Sequence, residues 1–134
     1  MKTALAGLAL CFLCIASAAA EKVALIKIDG AIGPATADYI SRSIAEAETQ
    51  NAQCLIIQLN TPGGLLDSTQ RIVQSFLGSA VPVVVYVSPT GSTATSAGFF
   101  LTLAASVAAL ARATHVCPAP PGPFGGNPTG RGED

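Results

Sequence analysis

Three short apolar segments, each followed by turn-forming residues, constrain the fold of this chain most strongly. They are residues 22–28 (KVALIKI), 54–60 (CLIIQLN) and 81–87 (VPVVVYV). β-Branched residues are frequent in them, as is typical of strands. The second is apolar almost throughout instead of alternating with polar residues, which is expected for a strand covered on both faces, and the third also predicts a buried strand. These segments therefore predict strands inside a layered α/β fold.

Helical patterns separate the predicted strands. Residues 34–50 begin with proline and carry apolar residues at helical spacing, and residues 65–78 repeat apolar residues on one face and end at glycine. Residues 96–111 are apolar nearly all round and predict one long core helix. Residues 114–116 could begin a fourth strand. The order β-α-β-α-β-α predicts a parallel sheet with right-handed crossovers.

Both ends of the chain differ from this pattern. Residues 1–20 combine a basic start, an apolar run and a final Ala-Ala-Ala, which predicts a signal peptide removed on export; an uncleaved anchor helix is the alternative. Residues 117–134 contain ten Pro or Gly in eighteen positions. That composition predicts a disordered tail or the product of a reading-frame shift near residue 112. The folded domain is therefore expected within residues 21–116.

Composition argues against two classes of function. The net charge is -1, only 5% of the residues are aromatic and Trp is absent, so neither a basic surface nor stacking platforms for nucleic acid are expected. One His and no Cys-x-x-Cys pair give no pattern for a metal site. Cys54 is interpreted as a small buried apolar residue, and a disulfide to Cys117 stays open.

Two loops follow neighbouring predicted strands and should meet at one edge of the sheet. They are NTPGG, residues 60–64, and SPTGSTATSAG, residues 88–98. Gly63 and Gly64 allow their N–H groups to approach a ligand closely, and Ser96 begins a helix whose first N–H groups are free. Together they suggest a nucleophile beside an oxyanion hole. The alternative is a serine that caps a helix and an ordinary Pro-Gly-Gly turn.

NTPGG followed about thirty residues later by ATSAG, together with IDGAIGPATADYI, resembles the ClpP-class serine proteases of the NfeD type, which are membrane-bound partners of stomatin-like proteins. The resemblance covers about residues 23–114. It implies the Clp protease/crotonase fold and peptide-bond hydrolysis by a serine–lysine dyad, with no metal, nucleotide or other cofactor. Ser96 would be the nucleophile, and the N–H groups of Gly63, Gly64 and Ala97 would form the oxyanion hole. The implied substrates are hydrophobic peptide segments, notably from a partner stomatin.

The general base of this family does not have a counterpart here. The family's lysine lies roughly forty residues beyond the serine, whereas the last lysine of this chain is Lys27 and the chain ends at Asp134. His115 and Lys27 are weak substitutes. We therefore expect a truncated serine endopeptidase with little or no turnover, exported and membrane-associated, and a homo-oligomer in its intact form. The alternatives are a non-catalytic module that binds a peptide or a membrane partner, and an acyl-CoA-handling relative of the crotonases.

Overall fold

The computed structural model describes residues 21–118. The predicted signal peptide, residues 1–20, and all but the first two residues of the predicted tail lie outside the described residues. Within them the chain forms six strands and three helices. The strands are β1 (Val23–Asp29), β2 (Cys54–Asn60), β3 (Val83–Val87), β4 (Thr93–Thr95), β5 (Val107–Leu110) and β6 (His115–Cys117), and the helices are α1 (Pro34–Thr49), α2 (Leu66–Gly78) and α3 (Ala97–Ala104).

The main sheet has the order β1-β2-β3-β5, and every pair in it is parallel. Along β2, Leu55, Ile57 and Leu59 are fully buried, and they meet the buried Ile40 of α1 and Ile72 of α2 in one apolar core. β4 and β6 form a second, two-stranded parallel sheet. The predicted α/β architecture with a parallel sheet and crossover helices is therefore confirmed. The prediction that β2 is covered on both faces is wrong, because the residues that alternate with its buried ones are only half-buried.

The predicted helix over residues 96–111 is wrong in its second half. α3 ends at Ala104, and Val107–Leu110 forms β5, which pairs with β3. Ser106 marks the change, because its N–H donates to Val83 O (2.9 Å) and its Oγ accepts the Val83 N–H (3.2 Å). The open edge of β3 thus provides partners for this backbone. The fourth strand of the main sheet therefore comes earlier than residue 114.

Candidate functional site

The two predicted loops meet at the carboxyl ends of β2 and β3, as expected from the sequence. Thr61, directly after β2, bridges to Ala94 of β4. Its N–H donates to Thr93 O (2.7 Å), and its carbonyl accepts the Thr95 N–H (3.2 Å). A further bond from the Thr93 N–H to Asn60 Oδ1 (3.0 Å) ties the end of β2 to the same strand. The NTPGG loop and the residues before Ser96 are therefore joined by backbone pairing.

Ser96 lies on a sharp turn between β4 and α3. Its φ of 52° and ψ of -108° are unfavourable for a residue with a side chain, and such a conformation costs of order 1–3 kcal/mol. The turn is held by its N–H, which donates to Cys117 O (2.9 Å), and by its carbonyl, which accepts the Phe99 N–H (3.1 Å). The hydroxyl makes no capping hydrogen bond to α3. Ser96 thus occupies the N-cap position without serving as a side-chain cap.

Gly63 lies directly against the Ser96 side chain. A Cβ at Gly63 would lie 3.0 Å from Ser96 Cβ and 3.5 Å from Ser96 Oγ. Gly63 also has a φ of +127°, which L side chains rarely adopt. A glycine is needed here both for the bend of the chain and for the approach of the serine.

Three of the four polar atoms in two neighbouring peptide groups of the loop, Pro62–Gly63 and Gly63–Gly64, are hydrogen-bonded within the protein. The Pro62 carbonyl accepts the Thr95 hydroxyl (2.7 Å), and the Gly63 N–H donates to Thr61 Oγ1 (3.1 Å). The Gly63 carbonyl accepts both the Ile32 N–H (2.9 Å) and the Thr61 hydroxyl (3.1 Å). The N–H of Gly63, one of the predicted oxyanion-hole donors, is therefore occupied in this structure.

The N–H groups of Gly64 and Ala97 differ from that of Gly63. Within residues 21–118 the structure gives neither of them a hydrogen-bond acceptor. Ala97 is the first residue of α3, where an N–H has no intrahelical partner, and the partial positive charge of the helix is concentrated there. These two donors belong to the residues that flank the Gly63–Ser96 contact.

Two glycines let these elements pack at backbone distance. A Cβ at Gly64 would lie 2.0 Å from Ile32 O, and a Cβ at Gly98 would lie 2.5 Å from Thr61 Cγ2. Ile32 and Gly64 form a parallel bridge, completed by a bond from the Leu65 N–H to Ile32 O (2.9 Å). The segment after β1 therefore supports the NTPGG loop from the side of Ile32.

Within the described residues, no acidic or basic side chain contacts the Ser96 hydroxyl. Lys27 pairs with Asp29 (3.5 Å), and both side chains are more than half exposed. His115 lies beside Thr93 in the β4–β6 register. Ser96 lies three residues after Thr93, so Ser96 and His115 are roughly 10 Å apart at the rise per residue of a strand. Neither of the two weak substitutes for the missing base contacts Ser96.

An apolar groove of about 510 Å³ lies between α2 and α3. Leu66, Val73 and Phe100 supply its apolar lining, and Thr69, Gln70 and Gln74 its polar lining. Leu66 is the first residue of α2, two positions after Gly64, and Phe100 lies in the first turn of α3, four positions after Ser96, so the groove is formed by the helices that directly follow the two parts of the site.

Sequence reasoning missed three residues that shape the site: Ile32, Thr61 and Thr95. Ile32 and Thr95 contact the loop from segments about thirty residues away in the chain, and Thr61, inside the loop, pairs with Thr93 and Thr95, so no local pattern reveals these contacts. Thr61 did carry a signal, since a threonine two residues before a glycine favours a turn closed by its own hydroxyl. The bond from the Gly63 N–H to Thr61 Oγ1 is such a turn.

Residues 21–118 contain no cluster of His, Cys, Asp or Glu able to hold a metal ion. In that same part of the chain none of the helices has the length and apolar character required to cross a bilayer. Cys54 forms no disulfide bond with another described residue.

Comparison with known proteins identifies a family for this chain. The family model described as "NfeD1b, N-terminal domain" matches residues 22–129, which includes part of the segment predicted as a tail. The membrane-bound protease PH1510 of Pyrococcus horikoshii is 38% identical over 112 residues, which are 84% of this chain and 25% of that protein. This chain thus spans about a quarter of the length of that relative.

Solved structures agree with the fold. A lysine-to-alanine mutant of the 1510-N membrane-bound stomatin-specific protease, in complex with a substrate peptide, superposes with a TM-score of 0.70 at 41% identity, covering 72% of this chain and 44% of that one. ClpP1 of Listeria monocytogenes superposes with a TM-score of 0.55 at 23% identity, over 60% of this chain and 46% of that one, which shows a shared fold. The parallel sheet and its crossovers are therefore ClpP-like.

Proposed function

The chain belongs to the family of the NfeD1b N-terminal domain, and from that premise we propose that it carries the nucleophile and the oxyanion hole of a ClpP-class serine endopeptidase. Ser96 is the nucleophile, and the N–H groups of Gly64 and Ala97 are the oxyanion donors, with Gly63 making room for the serine. One observation carries the proposal: the uncapped Ser96 hydroxyl, on a strained turn against Gly63, is flanked by two N–H groups without acceptors among residues 21–118.

The proposed reaction is acyl transfer. Ser96 Oγ attacks the carbonyl carbon of a peptide bond, and the electron pair of the C=O bond moves to the oxygen, where the two N–H groups stabilise the negative charge. Collapse of this intermediate expels the amine and leaves an acyl-serine, which water then hydrolyses. The serine proton needs an acceptor that later protonates the amine. No lysine follows Lys27 in the sequence, so the second member of a serine–lysine dyad is not supplied after Ser96 by these 134 residues.

A hydrophobic peptide is the proposed substrate. The groove beside the site is lined by Leu66, Val73 and Phe100, and apolar side chains of a bound peptide would be removed from water there. The related protease is named stomatin-specific and was solved with a substrate peptide. By extension, a stomatin-like membrane protein is the proposed partner. Membrane association outside the cytoplasm is proposed because the relatives are named membrane-bound and residues 1–20 resemble an export signal.

The proposed association with further copies is supported by exposed apolar side chains. Leu103 of α3 and Val107 and Leu110 of β5 are each about half exposed or more, and β5 is an edge strand of the main sheet. Unpaired edge strands and apolar surface favour contact with another chain.

A non-catalytic peptide-binding module is the second candidate, favoured by the lack of any acid or base contacting the Ser96 hydroxyl among residues 21–118. The same crevice would hold the peptide without cleaving it. Because only a reactive serine and its oxyanion hole recognise a tetrahedral centre, the two candidates differ in how they treat a transition-state analogue.

The test compares two peptides of the same hydrophobic sequence, one ending in a boronic acid and the other in a carboxamide. The serine oxygen adds to the boron of a boronic acid to form a tetrahedral boronate, and the serine proton passes to water or buffer, so the adduct forms without a base from the chain. We expect the boronate to bind the 134-residue chain at least about tenfold more tightly than the carboxamide, and Ser96→Ala to abolish that preference. Equal binding of both peptides would support the module, and binding of neither would contradict both candidates. Hydrolysis of the matching internal peptide, followed by mass spectrometry, measures turnover separately.

A further inference from the structure

Thr61 is a fully buried polar residue at the junction of β2, the NTPGG loop and β4. Its backbone is paired with β4 on both sides, through Thr93 O and the Thr95 N–H. Its methyl group packs at Gly98, where a Cβ would lie only 2.5 Å away. Thr61 takes no part in the proposed reaction, so its buried hydroxyl needs another role.

The Thr61 hydroxyl is used twice, and both times on Gly63. Its oxygen accepts the Gly63 N–H, and its proton goes to the Gly63 carbonyl, each at 3.1 Å. A hydroxyl has one proton to donate, so this bond leaves it no other donor role. Within the loop the hydroxyl therefore bonds the peptide groups on both sides of the Gly63 α-carbon.

The second of these peptide groups links Gly63 to Gly64. A trans peptide is planar, with its C=O and N–H pointing in opposite directions. The Gly63 carbonyl is bonded to the Ile32 N–H and to the Thr61 hydroxyl, so the Gly64 N–H is turned away from both. Glycine backbones rotate easily, and between two glycines this peptide would otherwise have many orientations.

From these contacts we infer that Thr61 is a positioning residue of the oxyanion hole: its hydroxyl holds the Gly63–Gly64 peptide in the orientation that presents the Gly64 N–H. The inference rests on the proposed function, since it names what orients one of the proposed donors. Donors held in place before the reaction stabilise the oxyanion without reorganisation during it. Thr61 acts on the substrate only through Gly64.

The experiment uses the boronate and carboxamide peptides on three variants of the whole chain. Thr61→Val keeps the shape and loses the hydroxyl, whereas Thr61→Ser keeps the hydroxyl and loses the methyl group. Thr102→Val is the matched control, because it removes another buried hydroxyl, which bonds Gly98 O (2.7 Å) inside α3 and is not bonded to the NTPGG loop. Removing an oxyanion donor reduces kcat by about 10²–10³-fold. We expect Thr61→Val to reduce the boronate preference at least about tenfold with little change in carboxamide binding, and Thr61→Ser and Thr102→Val to retain it.

Amide hydrogen exchange tests the same inference in the unmodified protein. The Gly63 N–H should exchange slowly and the Gly64 N–H rapidly, and bound boronate should protect Gly64 and Ala97 while leaving Gly63 unchanged. Protection of Gly63 instead of Gly64 would overturn the inference even if Thr61→Val does not fold. A wild-type preference for boronate that Thr61→Val retains in full would also overturn it, with the proposed function intact. A wild-type chain without any boronate preference would overturn the proposed function, and the inference with it.

Discussion

Replacing Gly64 by alanine tests the backbone contact that supports the candidate site. The added Cβ would lie 2.0 Å from Ile32 O and 2.6 Å from Ile32 C, both of them backbone atoms that no side-chain rotation can move away. The two segments must separate, which breaks the bonds from the Ile32 N–H to Gly63 O and from the Leu65 N–H to Ile32 O. Overpacking costs about 1–3 kcal/mol and each lost hydrogen bond about 0.5–1.5 kcal/mol, so we expect a loss of about 2–6 kcal/mol in the free energy of unfolding.

Urea unfolding of the whole chain, followed by circular dichroism, measures this loss. Gly78→Ala is the matched control, because Gly78 ends α2 and a Cβ there meets nothing within 4 Å. Alanine should change the stability at Gly78 by between zero and a gain of about 1 kcal/mol, since it is the better helix former. For a domain of this size the Gly64→Ala loss corresponds to a fall in Tm of at least roughly 8 °C. If Gly64→Ala unfolds at the wild-type urea concentration, the packing of Ile32 against the loop is not as described.

Three further changes follow from the structure. Gly98→Ala places a Cβ 2.5 Å from Thr61 Cγ2, and we expect urea unfolding to show a loss of about 1–3 kcal/mol; an unchanged midpoint would contradict the close approach of α3. Ser96→Gly relieves the strain of the φ of 52°, so the free energy of unfolding should rise by about 1 kcal/mol. The same variant should lose the preference for boronate. Ser96→Ala keeps the strain and should not be stabilised. Asp38→Asn removes the ion pair with Arg71, which is 2.6 Å long but has both side chains more than half exposed. The loss in the free energy of unfolding should therefore stay below about 1 kcal/mol. It should disappear when urea unfolding is measured in 1 M salt.

The helix predicted over residues 96–111 shows where sequence reasoning stopped. Residues 96–111 contain no Pro and are apolar through most of their length. Hydrophobic periodicity therefore does not distinguish a buried helix from a helix followed by a buried strand. The strand at Val107–Leu110 exists because the edge of β3 offers partners to its backbone. That partnership is a tertiary contact, and it overrides local preference in a segment that would suit either structure.

The candidate site was predictable in its parts and not in its arrangement. Gly-Gly after one strand and Ser before a helix indicated donors and a nucleophile, because glycine allows close approach and a helix start has free N–H groups. The sequence did not reveal that the Gly63 N–H is taken by Thr61 Oγ1 or that the Gly64 N–H stays without an acceptor within residues 21–118. These facts depend on the orientation of single peptide groups, which side-chain patterns do not encode.

The first three strands with the two helices between them, the parallel sheet and the meeting of the two loops follow from the sequence itself, because apolar runs between glycine and proline turns leave few ways to bury such strands. The tertiary structure decided the rest. It strained Ser96 at the turn, brought Ile32 against Gly64 and joined the loop to β4 through Thr61. Each of these contacts links residues distant in the chain, and each is stable only because the whole sheet holds both partners in place.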